Sequence, residues 1–435
     1  MSETTIGAVD GYRVWDSRGR PTVEVEVRLS GGSRGRGIAP AGASTGSGEA
    51  VDLRDGGTAL GGLDVTRAIA SVNDVIAPAL VGADAGDQAG VDKTLVALDG
   101  TPNKSRLGGN ATIATSMAVA HAAAAAAGVP LWRYLNGAGP PALPLPEIQI
   151  FGGGAHAGRR VDVQDFMVVA VGAADYDQAL DWTAEVYRAA GTLMDEAGLL
   201  AGLADEGGYW PAFDDNEQAL GFVVRAIERA GLTPGADMAI SLDIAATEFG
   251  GGGRYRLARD GAELDSDGLI EMLLGWIDRY PIVSIEDPLA EDDEAGLVRF
   301  TRAVGDRVQV VGDDYLVTNA ERVAAGAGIG ACNAVLVKPN QAGTLTETRA
   351  ALDASRDAGW GAIVSARSGE TEDVTIVHLA VGWGAKQLKV GSFARSERMA
   401  KWNEGLRIAR AADSRGPLPP HTAFPWGRPF TPPRR

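Results

Sequence analysis

The residues of this chain that could do chemistry stand at the ends of short apolar runs. ISLD ends in Asp243, IVSIEDP in Glu286 and Asp287, and VQVVGDD in Asp313 and Asp314. AVLVKPN then brings Lys338, AIVSARSGE brings Arg367 and Ser368, and QLKVG ends around Lys389. Carboxylates on adjacent strand ends repel one another unless a cation holds them. A hard divalent ion with oxygen ligands suits such a set, Mg²⁺ first. A lysine beside a metal and a second cation has its pKa pushed down, which makes a general base near neutral pH. Arg367 and Ser368 offer a planar fork and a hydroxyl, suited to a phosphate or carboxylate. Each residue alone has a plainer reading. An Asp after a strand is more often a helix cap than a ligand, and Asp287 and Asp314 read as caps or supporting groups. A lone strand-end lysine is usually a surface charge. The ordered set carries the inference.

Bringing these ends to one cavity needs a particular arrangement of elements. The apolar runs 237–242, 281–285, 308–311, 334–337, 361–365 and 387–390 alternate with helical stretches such as 216–230, 269–278 and 343–357. Repeated strand–helix units imply a parallel sheet. A closed (β/α)8 barrel fits roughly 270 residues, and its strand C-termini converge on one face. An open doubly wound sheet is the alternative. No GxGxxG opens a helix after a strand, so nucleotide binding has no support. Ahead of this region, TVEVEVRL (Thr22–Leu29) alternates as a half-buried strand. A small-residue loop covers 39–48, and helical patterns cover about 64–80 and 110–127. Pro140, Pro141, Pro144 and Pro146 mark a boundary near residue 138. The expected division is a smaller α+β domain over 1–138, the barrel over 139–412 and a proline-rich tail over 413–435. The tail lacks periodicity and reads as disordered or draped on the surface.

Composition narrows the function classes. The 435 residues carry 40 Lys+Arg against 57 Asp+Glu, a net charge of -17. That balance argues against a nucleic-acid binder and against a polybasic membrane-surface protein. One cysteine, Cys332, excludes a disulfide framework and a Cys-based zinc site. The first residues show no apolar signal region, and the apolar run Met117–Trp132 is short, alanine-rich and interrupted. A cytoplasmic protein is expected. His121 and His378 read as core or surface histidines. His156, in GGGAHAG, stands evenly between a loop role and a functional one.

Long fragments carry a resemblance: DSRGRPTVEVEV, GASTGSGEAVDLRDG, LDGTPNKSRLGGNA, GGGAHAG, DEGG, YPIVSIEDPLAEDD, VGDD, VKPNQAGTLTET, RSGETED and GSFARSERMAKWN. Over about residues 8 to 410 the chain resembles enolase, phosphopyruvate hydratase. The resemblance implies an α/β fold, a modified TIM barrel with a smaller N-terminal α+β capping domain, and a homodimer. It implies Mg²⁺, two ions per site, with Asp243, Glu286, Asp313 and the loop residue Ser44 as ligands. It makes Lys338 the base and Glu206 the acid toward the leaving hydroxyl. Arg367 and Ser368 then hold the phosphate and Lys389 the carboxylate region, with Asp165 beside them, while His156 closes over the substrate.

Departures fall inside the site. The family has His where this chain has Ala366, Glu where it has Asp165, Asn where it has Gly152, and Ser where it has Ala41. Pro339 follows the base, and Tyr209 and Trp210 follow DEGG. Shortening Glu to Asp withdraws a carboxylate by about an ångström, and misplacement on that scale can cost ~10²-fold. The pattern suits an enolase-like enzyme acting on a phosphorylated or phosphonylated carboxylate, of the carboxyphosphonoenolpyruvate synthase type in phosphonate or phosphinate biosynthesis. Room beside Arg367 is the argument for it. The alternatives are a housekeeping phosphopyruvate hydratase and a non-catalytic binding protein, which would have no need of clustered carboxylates.

Overall fold

Valine at every second position builds the N-terminal sheet. Strands β1 (Ile6–Trp15), β2 (Pro21–Leu29) and β3 (Arg34–Ile38) are antiparallel in that order. Val23, Val25 and Val27 of β2 are buried against the helix α1 (Gly109–Ala126). The intervening residue Glu24 is also buried, where Tyr12 donates to it and Arg36 lies 3.3 Å away. The alanines of α1 let it lie directly on β3. A Cβ at Gly35 would sit 2.1 Å from the Ala118 carbonyl, and one at Gly37 2.6 Å from that of Ala114. Small residues on both surfaces therefore set the helix–sheet distance. The computed structural model describes residues 2–137, 139–412 and 415–427, so the boundary expected at residue 138 lies outside the described residues.

The barrel strands are β4 (Leu145–Gly152), β5 (Asp165–Val169), β6 (Ala239–Asp243), β7 (Ile282–Glu286), β8 (Gln309–Gly312), β9 (Ala334–Val337), β10 (Gly361–Ser365) and β11 (Gln387–Ser392). They pair in sequence, and β11 returns to β4 to close the barrel. The six apolar runs all appear as strands within a residue or two of their expected bounds. The all-parallel expectation needs one correction, because β5 is antiparallel to both β4 and β6. The 153–164 connection holds only a short 3-10 turn (Gly154–Ala157), without the crossover helix a parallel strand needs. Inside the barrel, Val311, Ala334, Leu336 and Ile363 form a small apolar cluster. Glu147, Ser241, Ser284, Gln309 and Gln387 are buried polar barrel-strand residues linked by hydrogen bonds, Glu147 with Ser241 and Gln309 with both Ser284 and Gln387.

Much of the acidic surplus is spent at helix starts. Asp175, Asp215, Asp265 and Asp293 each accept a backbone N–H in the first turn of the helix that follows, as does Thr344. Of the two readings of the tail, draping on the surface describes residues 415–427. Arg415 pairs with Asp175 and Asp177. Phe424 and Trp426 stack at 4.5 Å and bury against Leu145, Val169, Ala239 and Val283, closing the end of the barrel opposite the strand C-termini. Two aromatic side chains supply the anchorage that a scan for periodicity misses.

The helix Thr375–Trp383 is buried throughout and contains His378. Trp132 donates its backbone N–H toward His378 Nδ1 at 3.4 Å, and Nε2 lies 3.4 Å from Glu404. Burial lowers the His378 pKa to about 4, with Glu404 opposing and His121 adding to the fall. A histidine held below its ordinary value contributes stability that is complete above about pH 6.5 and is lost as pH falls toward 4. The span corresponds to about 3 kcal/mol. Equilibrium denaturation across pH 7 to 4 is expected to show that loss, and His378→Gln to remove about that part of the slope.

Candidate active site

Strand register places the acidic ends side by side. Glu286 pairs with Asp243, and Asp243 with Asp165. Two lysines divide the carboxylates between them. Lys389 Nζ lies 2.8 Å from Asp243 Oδ2, 2.7 Å from Glu286 Oε2 and 3.7 Å from Asp165 Oδ2. Lys338 Nζ donates to Asp313 Oδ2, and Gln341 donates to the other oxygen at 2.9 Å. Gln164 donates to Asp243 at 3.1 Å. All six charged groups are buried.

With no metal ion beside them, the carboxylates set the lysines' electrostatics. Burial, the largest influence, pushes Lys338 down, but the negative charges around it, Asp313 first and then Glu286, together outweigh burial, Arg367 and Lys389, so the net shift is upward. Lys389 is likewise held well above its usual value, burial being outweighed by Asp243 and Glu286. Glu286 is pushed far up by burial first and then by Asp243. Asp287 and Asp314 are not helix caps. Asp287, at a φ of +41°, accepts the backbone N–H groups of Asp313 and Asp314, both at 2.9 Å, and so fixes the turn that carries Asp313. Burial and then Asp313 raise Asp314 to about 8.

A second group faces this one. His156 Nδ1 lies 3.0 Å from Asp165 Oδ1, and its Nε2 lies 2.9 Å from Ser368 Oγ and 3.8 Å from Glu206. Burial lowers the His156 pKa, but Asp165 and Glu206 more than reverse it, to about 9. The ring is thus an imidazolium at neutral pH, donating to Asp165 and to Ser368. Arg367 is held by Glu49, Asn340 and the Ser44 carbonyl. Ser44, His156, Asp165, Glu206, Asp243, Lys338, Arg367, Ser368 and Lys389 line one cavity, and Ala366 lines it too. Glu286 and Asp313 reach it through their lysines. Every expected site residue is therefore brought to one place.

Two comparisons bear on this site. The family description "Enolase, C-terminal TIM barrel domain" matches residues 141–418, and "Enolase, N-terminal domain" matches 6–135. A protein named Enolase 1, from Desulfitobacterium hafniense (strain Y51), is 47% identical over 427 residues, covering 98% of each chain. The chain belongs to the enolase family. It is an enzyme of the enolase type, with the capped TIM barrel of that family.

Enolases use a divalent cation, and the residues here fit one. Glu286 Oε1 and Asp165 Oδ2 are buried without a hydrogen-bond partner, which leaves acceptor capacity and negative charge unmatched. Asp243, Glu286 and Asp313 supply only hard oxygen donors. Among the described residues, the groups close enough to share an ion as they stand are His156–Asp165–Glu206 and Asp287–Asp313–Asp314, while the expected three are paired with lysines. Pro339 is explained by position: it opens the short helix Pro339–Ala342 directly after Lys338, where a missing N–H is harmless. Gly152 is explained too, since a Cβ there would lie 2.6 Å from that of Ala204.

Several working residues were missed. Glu49, Gln149, Gln164, Asn340 and Gln341 hold the charged groups. Arg398 is fully buried and donates to the carbonyls of Arg367, Ser368 and Val390. Their fragments were visible, but a single uncharged amide or a helix arginine carries no distinguishing pattern. We expect Asp313→Asn to weaken binding of Mn²⁺, followed calorimetrically, by at least the roughly 10-fold that outer contacts already cost. Unaltered affinity would remove Asp313 from the metal set.

Proposed function

We propose that the protein is a phosphopyruvate hydratase, which removes water from 2-phosphoglycerate to give phosphoenolpyruvate and runs the reverse addition. The observation that supports this most is the cavity itself: a lysine base, an Arg–Ser pair and an acid group converge, in a chain nearly half identical to Enolase 1. Arg367 and Ser368 hold the phosphate, and Lys389 faces the carboxylate. Lys338, once neutral, takes the proton alpha to the carboxylate. Glu206 delivers one proton to the departing hydroxide, which leaves as water, and takes that proton from the imidazolium of His156 beside it. Asp243, Glu286, Asp313 and Ser44 would hold two Mg²⁺ ions, which would supply positive charge beside the substrate carboxylate and offset the Asp313 charge that keeps Lys338 protonated.

The synthase reading depended on room beside Arg367. That guanidinium is enclosed by Glu49, Asn340 and Ser44, and His156 sits on Ser368, so the geometry favours the hydratase. The homodimer is part of the proposal. Tyr12 and Trp15, exposed on the edge strand β1, are apolar surface such a contact would cover. A cytoplasmic location is proposed with it; among the described residues no helix is long and apolar enough to cross a membrane.

Wild-type protein with Mg²⁺ is expected to convert 2-phosphoglycerate at ~10 s⁻¹, a typical enzyme rate, followed by the absorbance of phosphoenolpyruvate. A rate far lower, rescued by Ala366→His with Asp165→Glu together, would return the divergent reading. Lys338→Ala should stop exchange of the substrate alpha proton with solvent deuterium, read by NMR. Exchange at the wild-type rate would assign the base elsewhere, with Lys389 the next candidate.

A further inference from the structure

An arginine has five N–H donors, in a fork that matches one carboxylate or one phosphate at a time. Arg367 has four of them engaged. Nη1 donates to Glu49 Oε2 at 2.8 Å and to Asn340 Oδ1 at 3.1 Å. Nη2 donates to the Ser44 carbonyl at 2.8 Å and to Glu49 Oε1 at 3.2 Å. Among the described residues only Nε is without a partner. Both the end-on edge of the guanidinium and its side edge include Nη2, so neither is open to a second bidentate anion. The pair is buried, with side chains 3% and 8% exposed, so water does not weaken it.

The same carboxylate holds its own loop. Glu49 Oε1 also accepts from Gly46 N–H at 2.9 Å and from Gln341 at 3.3 Å. A Cβ on Gly42 would lie 2.0 Å from Arg367 Nη2, so the loop backbone rests directly on the guanidinium. The loop's other tether is exposed: Ser47 N and Oγ both donate to Glu291, at 3.1 Å.

We propose that Glu49 is a carboxylate latch, occupying the fork of Arg367 that a phosphoryl group takes, so that phosphate binding and release of the 42–49 loop are one event. The inference rests on Arg367 being the phosphate anchor. A phosphate dianion can take the fork only as Glu49 leaves it, and the two anions repel at that distance. Glu49 therefore selects against anions too weakly charged to displace it, and it couples arrival of the phosphate to movement of Ser44.

The test uses the full-length protein with Mg²⁺ and inorganic phosphate as the probe, titrated calorimetrically. Glu49→Gln, which keeps the shape and removes the charge, should bind phosphate at least 10-fold more tightly than wild type. Glu49→Asp, too short to span the fork, should shift the same way and serves if the first variant folds poorly. In wild type, phosphate should speed hydrogen exchange at the Gly46 amide, whose acceptor is the displaced carboxylate. Unchanged or weaker phosphate affinity in the variants would overturn the latch and leave Glu49 as a group that only orients Arg367. Turnover of 2-phosphoglycerate separates the two readings. Tighter phosphate binding without turnover keeps the latch and sinks the hydratase. Turnover with unchanged phosphate affinity does the reverse.

Discussion

Everything at the open end of this barrel is arranged around buried like charge. Asp243, Glu286 and Asp313 are buried together at neighbouring strand ends, away from water, against two ammonium groups. A buried charge left unpaired costs several kcal/mol even after relaxation. Each carboxylate is therefore given a partner. Lys389 bridges the first two, Lys338 takes the third, and Gln164 and Gln341 supply further N–H donors. The residual imbalance, with an orphaned Glu286 oxygen and a raised Glu286 pKa, is what makes the cluster receptive to a divalent cation. The charge pattern thus serves folding and cation binding at once. The lysines that stabilise the carboxylates are the groups that must yield them.

Such an arrangement works only if the strand ends cannot drift. The loop after β10 carries Arg367 and Ser368, and it has no regular hydrogen-bond ladder of its own. Helix Ser396–Ala411 supplies one from outside. Arg398 collects the carbonyls of Arg367, Ser368 and Val390, and Lys401 collects Thr371 O and Glu370 Oε2, both at 3.0 Å. Burying two cations under the active site is tolerable because backbone carbonyls, fixed and numerous, satisfy them. Asp287 plays the matching part after β7, accepting two N–H groups from the turn that holds Asp313.

The sequence shows the ends of the strands better than their directions. The period-2 pattern of β2 and the apolar runs of β6 to β11 state where strands lie, and the charged residue closing each run states where its chemistry points. Nothing local distinguishes β5 as antiparallel, because its direction depends on the absence of a helix between 152 and 165. The tail's anchorage was illegible for a related reason. Phe424 and Trp426 are two isolated aromatics among prolines, and their burial depends on the barrel mouth they meet. The lysine pKa values failed differently. The expected fall belongs to a lysine beside a metal; with no metal, the neighbouring carboxylates outweigh the nearby cations. Which carboxylate each lysine takes is fixed by three-dimensional register alone.

The departures inside the site are best understood as one linked change. Where the family has an imidazole, Ala366 leaves space beside Lys389 O, to which its own N–H donates at 2.9 Å. His156 brings an imidazolium into the same cavity from the opposite loop, bonded to Ser368, the residue two beyond Ala366. It is held there because Asp165 meets its Nδ1, and Gln149 in turn fixes Asp165. A longer carboxylate at 165 would reach further toward the space the ring now fills. Asp165 and Ala366 line the same cavity, and the His156 ring bonded to Asp165 is the group between them that carries charge. Substitutions in contact are not additive. The His156 ring, 3.0 Å from Asp165, 2.9 Å from Ser368 and 3.8 Å from Glu206, links these three groups, so a change at any one of them acts on the other two.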